Sequence, residues 1–271
     1  MSRTGLRAPV KLLRPHALAD GFTLVELLIV IVTTSLFVTL IMYFTIQYWR
    51  FGFALEADLD TLTQRLDAGD FIRDSLGTSS GLISQNSLAD THVLDQDPTA
   101  GAGFWLTIHA VPGNTPMPAK GSFTPLLYYQ RPSINTSNQV ILNGTQPYLD
   151  EYVLYLDGNT KSLMVRTLAN SGAPANRAHT SCPTAAASAG CPADRTLVSD
   201  IASIDTRYFS RNGTTINWMS SVDSITGAYI GPDFPVVEVV ELTLNVAKKD
   251  TFQTVTTTKS STVIRIALRN T

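Results

Sequence analysis

Residues 21–48 read GFTLVELLIVIVTTSLFVTLIMYFTIQY and decide the architecture of this chain of 271 residues. From Leu27 to Tyr48 no residue carries a charge, and a helix of about 20 apolar residues spans a bilayer core of roughly 30 Å. The run is longer than the apolar core of a secretory signal peptide, about 7–15 residues, and no small-x-small cleavage site follows it. The sequence therefore predicts a transmembrane helix over 22–49. These facts alone fit a plain membrane anchor with an external domain.

Charge is distributed unevenly on the two sides of this run. Residues 1–21 contain four Lys or Arg residues and one acidic residue, whereas the whole chain has a formal net charge of −2. Basic residues beside a membrane span stay in the cytoplasm, so we expect the residues after Trp49 on the outside. The acidity of the body argues against nucleic acid as a partner. A local basic patch near the C terminus leaves that possibility open: Lys248, Lys249, Lys259, Arg265 and Arg269.

Glu26 interrupts the apolar pattern at the start of the predicted membrane helix. An ionised carboxylate costs roughly 2.5–3.5 kcal/mol near the bilayer centre and less near its edge. The side chain can snorkel to the headgroups, or it can pair with a positive charge in the membrane. Cleavage between Gly21 and Phe22 would create such a charge, an α-amine that lies near Glu26 within one helix or between staggered helices.

The segment Gly21-Phe22-Thr23-Leu24-Val25-Glu26-Leu27-Leu28 resembles the prepilin signature of type IV pilins and type II secretion pseudopilins. The resemblance implies that prepilin peptidase removes residues 1–21 as a leader and that Phe22 becomes N-methylated. It also implies that Glu26 pairs with the N-terminal amine of a neighbouring subunit. The resemblance further implies two kinds of partner. They are other major and minor pilins, bound through the N-terminal helix, and the inner-membrane assembly platform. The protein is then a single-pass precursor in the cytoplasmic membrane, N terminus inside, before it enters an extracellular or periplasmic filament.

Two departures from the common pilin pattern favour a minor subunit. Many pilins carry a proline near the middle of the membrane helix, whereas residues 24–55 contain none. The C-terminal part is also large, and its segments 197–204, 207–209, 236–246 and 263–268 resemble the PilW and PulJ branch of minor pilins. That branch implies a subunit that primes assembly or sits near the filament tip. The alternatives are a minor pseudopilin of type II secretion, and a tip adhesin or DNA-binding module on the same scaffold.

Beyond the membrane, residues 50–77 are predicted to continue the helix as an amphipathic segment that ends at Leu76-Gly77, since Gly favours the position after a helix. Its leucines recur at helical spacing, which predicts one apolar stripe. We expect this stripe to pack against the sheet of the globular part, with the charged residues, Arg65 among them, on other faces. The stripe consists of Leu55, Leu59, Leu62 and Leu66.

Residues 78–271 are predicted to form a β-rich head with irregular loops at 97–125 and 168–195. Turn signals at 157–159 and 211–213 indicate two hairpins, and alternating apolar residues at 240–246 and 264–268 indicate half-buried antiparallel strands. The predicted strands are 104–111, 126–130, 151–156, 162–168, 204–210, 214–219, 240–246 and 264–268. The predicted fold class is therefore α+β, a long N-terminal helix packed on an antiparallel sheet.

The sequence contains no pattern typical of an enzyme or of a metal site. Its four histidines lack companions at ligand spacing, and no nucleophile elbow, P-loop or dinucleotide motif is present. We therefore expect no catalytic residues, no cofactor and no metal. Asp90, Asp95 and Asp97 could hold calcium on an exported loop, but a solvated acidic turn is the favoured interpretation. The two cysteines, Cys182 and Cys191, are predicted to form a small disulfide loop outside the cytoplasm.

Overall fold

The computed structural model describes residues 23–108, 113–212, 215–218, 237–248 and 258–268. Its one α-helix among these residues, α1, runs from Leu24 to Gly77 without a break. No proline interrupts the backbone ladder, and Gly77 ends the helix where the sequence predicted. The chain divides into two compact units, Met1–Phe53 and Ala54–Thr271. We call the second unit the head.

The described residues of the head form two antiparallel sheets and a short two-stranded ribbon. In chain order the strands are β1 (Gly81–Ile83), β2 (Gly113–Pro116), β3 (Phe123–Pro132), β4 (Leu142–Asn143), β5 (Gln146–Pro147), β6 (Leu149–Asp157), β7 (Ser162–Leu168), β8 (Arg195–Val198), β9 (Ile201–Asn212), β10 (Thr215–Trp218), β11 (Val239–Lys248) and β12 (Thr258–Ala267). The first sheet has the order β1-β3-β6-β7-β8. The second has the order β10-β9-β11-β12, with β2 also paired to β9, and β4 and β5 form the ribbon. One long apolar helix followed by antiparallel sheets confirms the α+β class.

Both predicted hairpins are present. Strands β6 and β7 pair from Glu151 with Leu168 to Asp157 with Ser162, and β9 and β10 pair around Asn212 and Thr215. In the first hairpin, Gly158 lies against the backbone carbonyls of Pro118 and Ala119, where a β-carbon would clash. Glycine is needed here because another loop approaches the turn closely.

The alternating strands of the second sheet also have the predicted faces. Along β11 the apolar side chains are buried and the intervening polar ones are partly exposed, and β12 repeats the pattern. This alternation places one face of the sheet on the core and the other toward solvent. The inward side chains are Val240, Leu242, Leu244, Val246, Ile264 and Ile266.

The helical face that packs on the sheets differs from the predicted one. Leu59, Leu62 and Leu66 are 55%, 47% and 58% exposed, and Leu55 is exposed as well. The prediction that these leucines form the core face was therefore wrong. The face in contact with the sheets begins near Arg65 and consists of Arg65, Ala68, Gly69, Ile72, Ser75 and Leu76. Small residues on this face bring the helix close to the sheet. A search for a stripe of large hydrophobic residues does not identify them.

Predicted elements between residues 84 and 125 need two corrections. Residues 104–108 form no strand and make one isolated bridge, Trp105 with Gln96, because this segment packs across the first sheet instead of joining it. Residues 109–111 of the same predicted strand lie outside the described residues. Conversely, the predicted loop 97–125 contains β2, which pairs with Thr206–Ser203 at the edge of β9. Proline and glycine there suit an edge strand, whose outer backbone groups need no partner.

The first sheet is buried on both faces, which the sequence did not predict. Leu154 and Leu156 of β6 join the core shared with α1 and the second sheet. Val153 and Tyr155 point the other way into a second core with Trp105. The polypeptide from 84 to 108 supplies that second layer. Trp105 is fully buried, so it is a core residue and no surface aromatic, whereas the side chain of Trp218 is outside the described part of the structure.

Candidate membrane and assembly site

Glu26 belongs to a reciprocal hydrogen-bond pattern at the start of α1. The backbone N–H and the hydroxyl of Thr23 both donate to Oε2 of Glu26 at 2.9 Å. In return, the backbone N–H of Glu26 lies 3.3 Å from Thr23 Oγ1. This is a capping box, in which a Thr at the helix cap and a Glu three residues later satisfy each other's free N–H groups. The T-x-x-E spacing is the local sequence signal for this cap, and the prediction for Glu26 rested on its charge alone.

The cap leaves part of the carboxylate available. Both bonds from Thr23 converge on Oε2, and among the described residues no donor reaches Oε1. The side chain of Glu26 is exposed. Gly21 and Phe22, the predicted cleavage and N-methylation residues, lie outside the described residues. The structure therefore holds Glu26 at the start of α1, three residues after Thr23.

The part of α1 that follows Glu26 is long and apolar enough to cross a membrane, and it alone among the described helices meets that criterion. Its large side chains from Leu24 to Phe53 are exposed, at 43–81% of their full accessible area. An apolar helix whose large side chains are exposed to this extent needs an apolar environment outside the chain. A lipid bilayer or a bundle of like helices supplies one.

Four of the hydroxyl groups on this helix are satisfied within it. Thr33, Ser35, Thr39 and Thr45 each donate to a backbone carbonyl three or four residues earlier, at 2.8 Å in every case. A hydroxyl in lipid without a partner would cost several kcal/mol. These residues are therefore as compatible with a membrane as the aliphatic residues beside them.

The acidic residues Asp90 and Asp97 are buried, so the prediction of a solvated acidic turn was wrong. Asp97 accepts hydrogen bonds from Thr99 and Thr107, and those from Thr99 contribute most to lowering its pKa. Asp90 accepts from the Trp105 indole and from Arg166. Asp95 is partly buried, and burial raises its pKa. Because Asp90 and Asp97 already hold protein donors, the described loop offers no set of free carboxylates for calcium.

Arg166 is the centre of a polar cluster inside the head. Its guanidinium forms ion pairs with Asp90 at 2.8 Å and with Asp194 at 2.6 Å, and all three side chains are inaccessible to solvent. Burial alone would lower the pKa of Arg166, but its bonds to Asp194 and Asp90 outweigh that effect and raise it. Tyr155 also donates to Asp194 at 2.7 Å. The cluster is a closed set of satisfied groups, which suits a structural role better than a catalytic one.

Cys182 and Cys191 form the predicted disulfide, with their α-carbons 5.6 Å apart. The surrounding loop does not lie wholly at the surface, since Ser181, Cys182 and Asp194 are buried. They are buried because Asp194 binds Arg166 inside the head, which holds the neighbouring backbone against the core. His92, expected to be an isolated histidine, has Nδ1 only 3.3 Å from Cys182 Sγ.

The predicted basic patch is described only in part. Strands β11 and β12 bring the backbones of Lys248 and Lys259 to adjacent positions. The guanidinium of Arg265 lies 4.8 Å above the ring of Phe209. Lys249 and Arg269 lie outside the described residues. The described part of the patch thus offers Arg265 on a strand surface and no more.

The site that the described residues assemble consists of an exposed apolar helix with a capped, acidic start. The head holds a disulfide and a buried ion cluster. Comparison with protein-family models, with curated proteins and with solved structures finds no match for this chain.

Proposed function

We propose that this protein is a minor pilin, a subunit that enters a type IV pilus through its N-terminal helix and primes assembly or sits near the tip. The observation that carries the proposal is the start of α1. A helix long and apolar enough to cross a membrane opens on Thr23 and Glu26 directly after the Gly21-Phe22 bond.

The chemistry of Glu26 supports a role in subunit pairing. Cleavage after Gly21 would leave an ammonium group on Phe22, one residue before the cap. Thr23 holds Oε2 of Glu26 in place, while Oε1 is open to a donor from another chain. A carboxylate that is already fixed loses little side-chain entropy when it binds an ammonium group. In an apolar bundle, such a pair compensates two charges that would otherwise be costly.

The head supports export. A disulfide between Cys182 and Cys191 is typical of proteins outside the reducing cytoplasm. The basic residues before the helix favour an N terminus inside the cell. Together these features favour a precursor with the head on the outer side of the cytoplasmic membrane.

Processing is tested by intact-mass and N-terminal peptide analysis of the protein from sheared filaments. We expect a chain that begins with N-methyl-Phe22 and lacks residues 1–21. A Gly21→Leu variant should remain uncleaved, because a bulky residue hinders entry of the extended chain into a protease site. An intact leader in assembled filaments would contradict the proposal.

The role of Glu26 is tested by separating its charge from its capping bond. Glu26→Gln keeps an acceptor for the Thr23 N–H, since Gln also completes a capping box, but it removes the charge. Thr23→Val removes the cap hydroxyl, at a cost of about 1 kcal/mol, and keeps the charge. We expect both variants to be cleaved, Thr23→Val to enter filaments, and Glu26→Gln to stay in the membrane.

The readout is the ratio of processed protein in sheared filaments to processed protein in membranes. Glu26→Val, which lacks both charge and cap acceptor, is the reference for complete loss of the side-chain function. If Glu26→Gln enters filaments as well as the unaltered chain, Glu26 acts through the helix cap and the charge-pairing mechanism is refuted.

A further inference from the structure

Three side chains able to bind a metal meet on the head: His92, Cys182 and Cys191. One ligand atom from each lies within 4.8 Å of the other two. We propose that the reduced head binds a zinc ion through the two thiolates and Nδ1 of His92. Metal and disulfide are then alternative ways to close the same loop. This inference does not rest on the proposed function.

The distances fit a small rearrangement. In a tetrahedral zinc site, bond lengths of about 2.3 Å to sulfur and 2.0 Å to nitrogen separate two sulfurs by about 3.8 Å, and a sulfur from a nitrogen by about 3.5 Å. The distance from Cys182 Sγ to His92 Nδ1 is already 3.3 Å. The two sulfurs, about 2 Å apart in a disulfide, must separate by roughly 2 Å more. Cys191 is partly exposed, so rotation of its side chain can supply that movement.

The backbone of His92 is fixed on both sides of the side chain. Its N–H donates to Oδ1 of Asp90 at 2.8 Å, and its carbonyl accepts from Nη1 of Arg166. The buried guanidinium therefore places the imidazole beside Cys182.

The backbone of Cys182 is fixed through the same cluster. Its N–H donates to the carbonyl of Pro192, and its carbonyl accepts from the N–H of Asp194, both at 2.8 Å. Asp194 in turn binds Arg166. Two of the three ligands thus stand on one buried anchor whose contacts do not involve the sulfur atoms, which is the preorganisation that a metal site needs.

The charge balance suits the partly buried position. Two thiolates and a Zn²⁺ ion sum to zero, so the occupied site adds no net charge beside Arg166, Asp90 and Asp194. Three protein ligands leave a fourth position for water. Thr91 competes for the site, since its Oγ1 lies 3.0 Å from Nδ1 of His92 and its hydroxyl must turn away before the metal binds.

The two closures exclude each other chemically. The chain is synthesised with two thiols, and zinc binds them by displacing their two protons without electron transfer. Disulfide formation instead removes two protons and two electrons, which a disulfide oxidant such as oxidised glutathione accepts as it becomes two thiols. Zinc should therefore slow oxidation, and the oxidised head should bind no zinc here.

The test uses the full chain in detergent, reduced with a phosphine and titrated with Co²⁺, which reports thiolate ligation by a charge-transfer absorption. We expect one cobalt ion per chain, displaced by Zn²⁺, and no such absorption from the oxidised chain. His92→Ala should weaken cobalt binding at least about tenfold. His179→Ala is the matched control, because His179 is an exposed histidine in the same loop as the cysteines, and its affinity should be unchanged. Thr91→Val should bind at least as tightly as the unaltered chain.

X-ray absorption of the zinc-loaded chain provides a measurement that needs no variant. We expect two sulfur ligands at about 2.3 Å and a nitrogen at about 2.0 Å. A shell of oxygen and nitrogen without sulfur would overturn the proposal. So would absence of the cobalt–thiolate absorption in the reduced chain, or equal affinity of folded His92→Ala and the unaltered chain.

Discussion

Arg166 lies between two carboxylates, Asp90 and Asp194, and its guanidinium stands 5.3 Å from the ring centre of Trp105. The two carboxylates belong to different irregular segments, so one side chain from β7 joins both to the first sheet. Every buried side-chain nitrogen and oxygen in the described part of the head has a partner. These buried polar groups are therefore all hydrogen-bonded or ion-paired. Removal of one side chain leaves its former partners buried without a hydrogen bond or a counter-charge.

We expect Arg166→Met to lower the free energy of unfolding by about 3–5 kcal/mol, because it leaves two carboxylates without their counter-charge. The measurement is denaturant unfolding followed by near-UV circular dichroism. Arg73→Met is the matched control: Arg73 is exposed and pairs only with Asp70 three residues earlier among the described groups, which predicts a change below about 0.5 kcal/mol. Equal effects of the two substitutions would contradict the importance of the buried cluster.

Asp97 predicts a specific dependence of stability on pH. Hydrogen bonds from Thr99 and Thr107 hold its pKa below its usual value, which is about 3.9 in an unfolded chain. The stabilisation is therefore complete above about pH 4 and is lost as pH falls through the lower, folded pKa. Asp97→Asn should lower the melting temperature at pH 7. Below pH 4 the melting temperature of this variant should fall less steeply with decreasing pH than that of the unaltered chain.

Calorimetry from neutral to acidic pH measures this, with Asp70→Asn as the control at an exposed, ion-paired aspartate. A pH profile of Asp97→Asn that runs parallel to that of the unaltered chain would show that Asp97 is not the group responsible.

At the scale of elements, α1 carries two different apolar surfaces. One consists of Ala68, Ile72 and Leu76, which join the main core. The other contains Leu59, Leu62 and Leu66, which face away from it. The regular leucine spacing led the sequence interpretation to the second surface. The contact surface is built from small and mixed residues, so hydrophobic periodicity identified the helix correctly and its packing face wrongly.

This difference predicts opposite results for two sets of substitutions. Leu59→Gln and Leu62→Gln should change the free energy of unfolding of the head by less than about 0.5 kcal/mol, because both side chains are already exposed. Ile72→Ala should cost about 2–5 kcal/mol, because it opens a cavity in the core. Denaturant midpoints at unchanged slope give both values. A large loss of unfolding free energy in the leucine variants would instead support the packing face that the sequence predicted.

The strands that could be predicted are those whose signals are local. Turn residues located the β6–β7 hairpin, and alternation located β11 and β12. The segment 104–108 has a strand-like composition, yet it packs across the first sheet as an irregular layer, because Trp105 fills the second core and bonds to Asp90. This placement depends on contacts between residues that are far apart in the sequence. The ion pair between Arg166 and Asp194 depends on such contacts as well. Neither leaves a local pattern to read.

At the scale of the whole molecule, the chain contains a unit up to Phe53 and a head from Ala54 onward. The sequence predicted both the membrane-length helix and the β-rich head, since composition changes sharply between them. The start of the helix was predicted as a charge site, and its capping bond was missed. The disulfide was predicted correctly from cysteine spacing and expected location, whereas the neighbouring His92 was not, because 90 residues separate it from Cys182.

The division predicts that a fragment of residues 54–271 folds by itself. Both sheets and the helical residues of the main core lie within it. We expect a cooperative transition with a denaturant midpoint equal, within error, to that of the head in the full chain. A shallow, non-cooperative transition of the fragment would show that the head depends on the residues before Ala54.

The shared guanidinium of Arg166 also limits how this head can change during evolution or by engineering. The segment with Asp90 and the segment with Asp194 draw on one positive charge, so a substitution that alters the polarity of either one changes the electrostatics of the other. New loops with new binding properties would have to be exchanged as a pair, together with Arg166. Among descendants of this chain we expect the two segments to vary in concert, as one inherited unit.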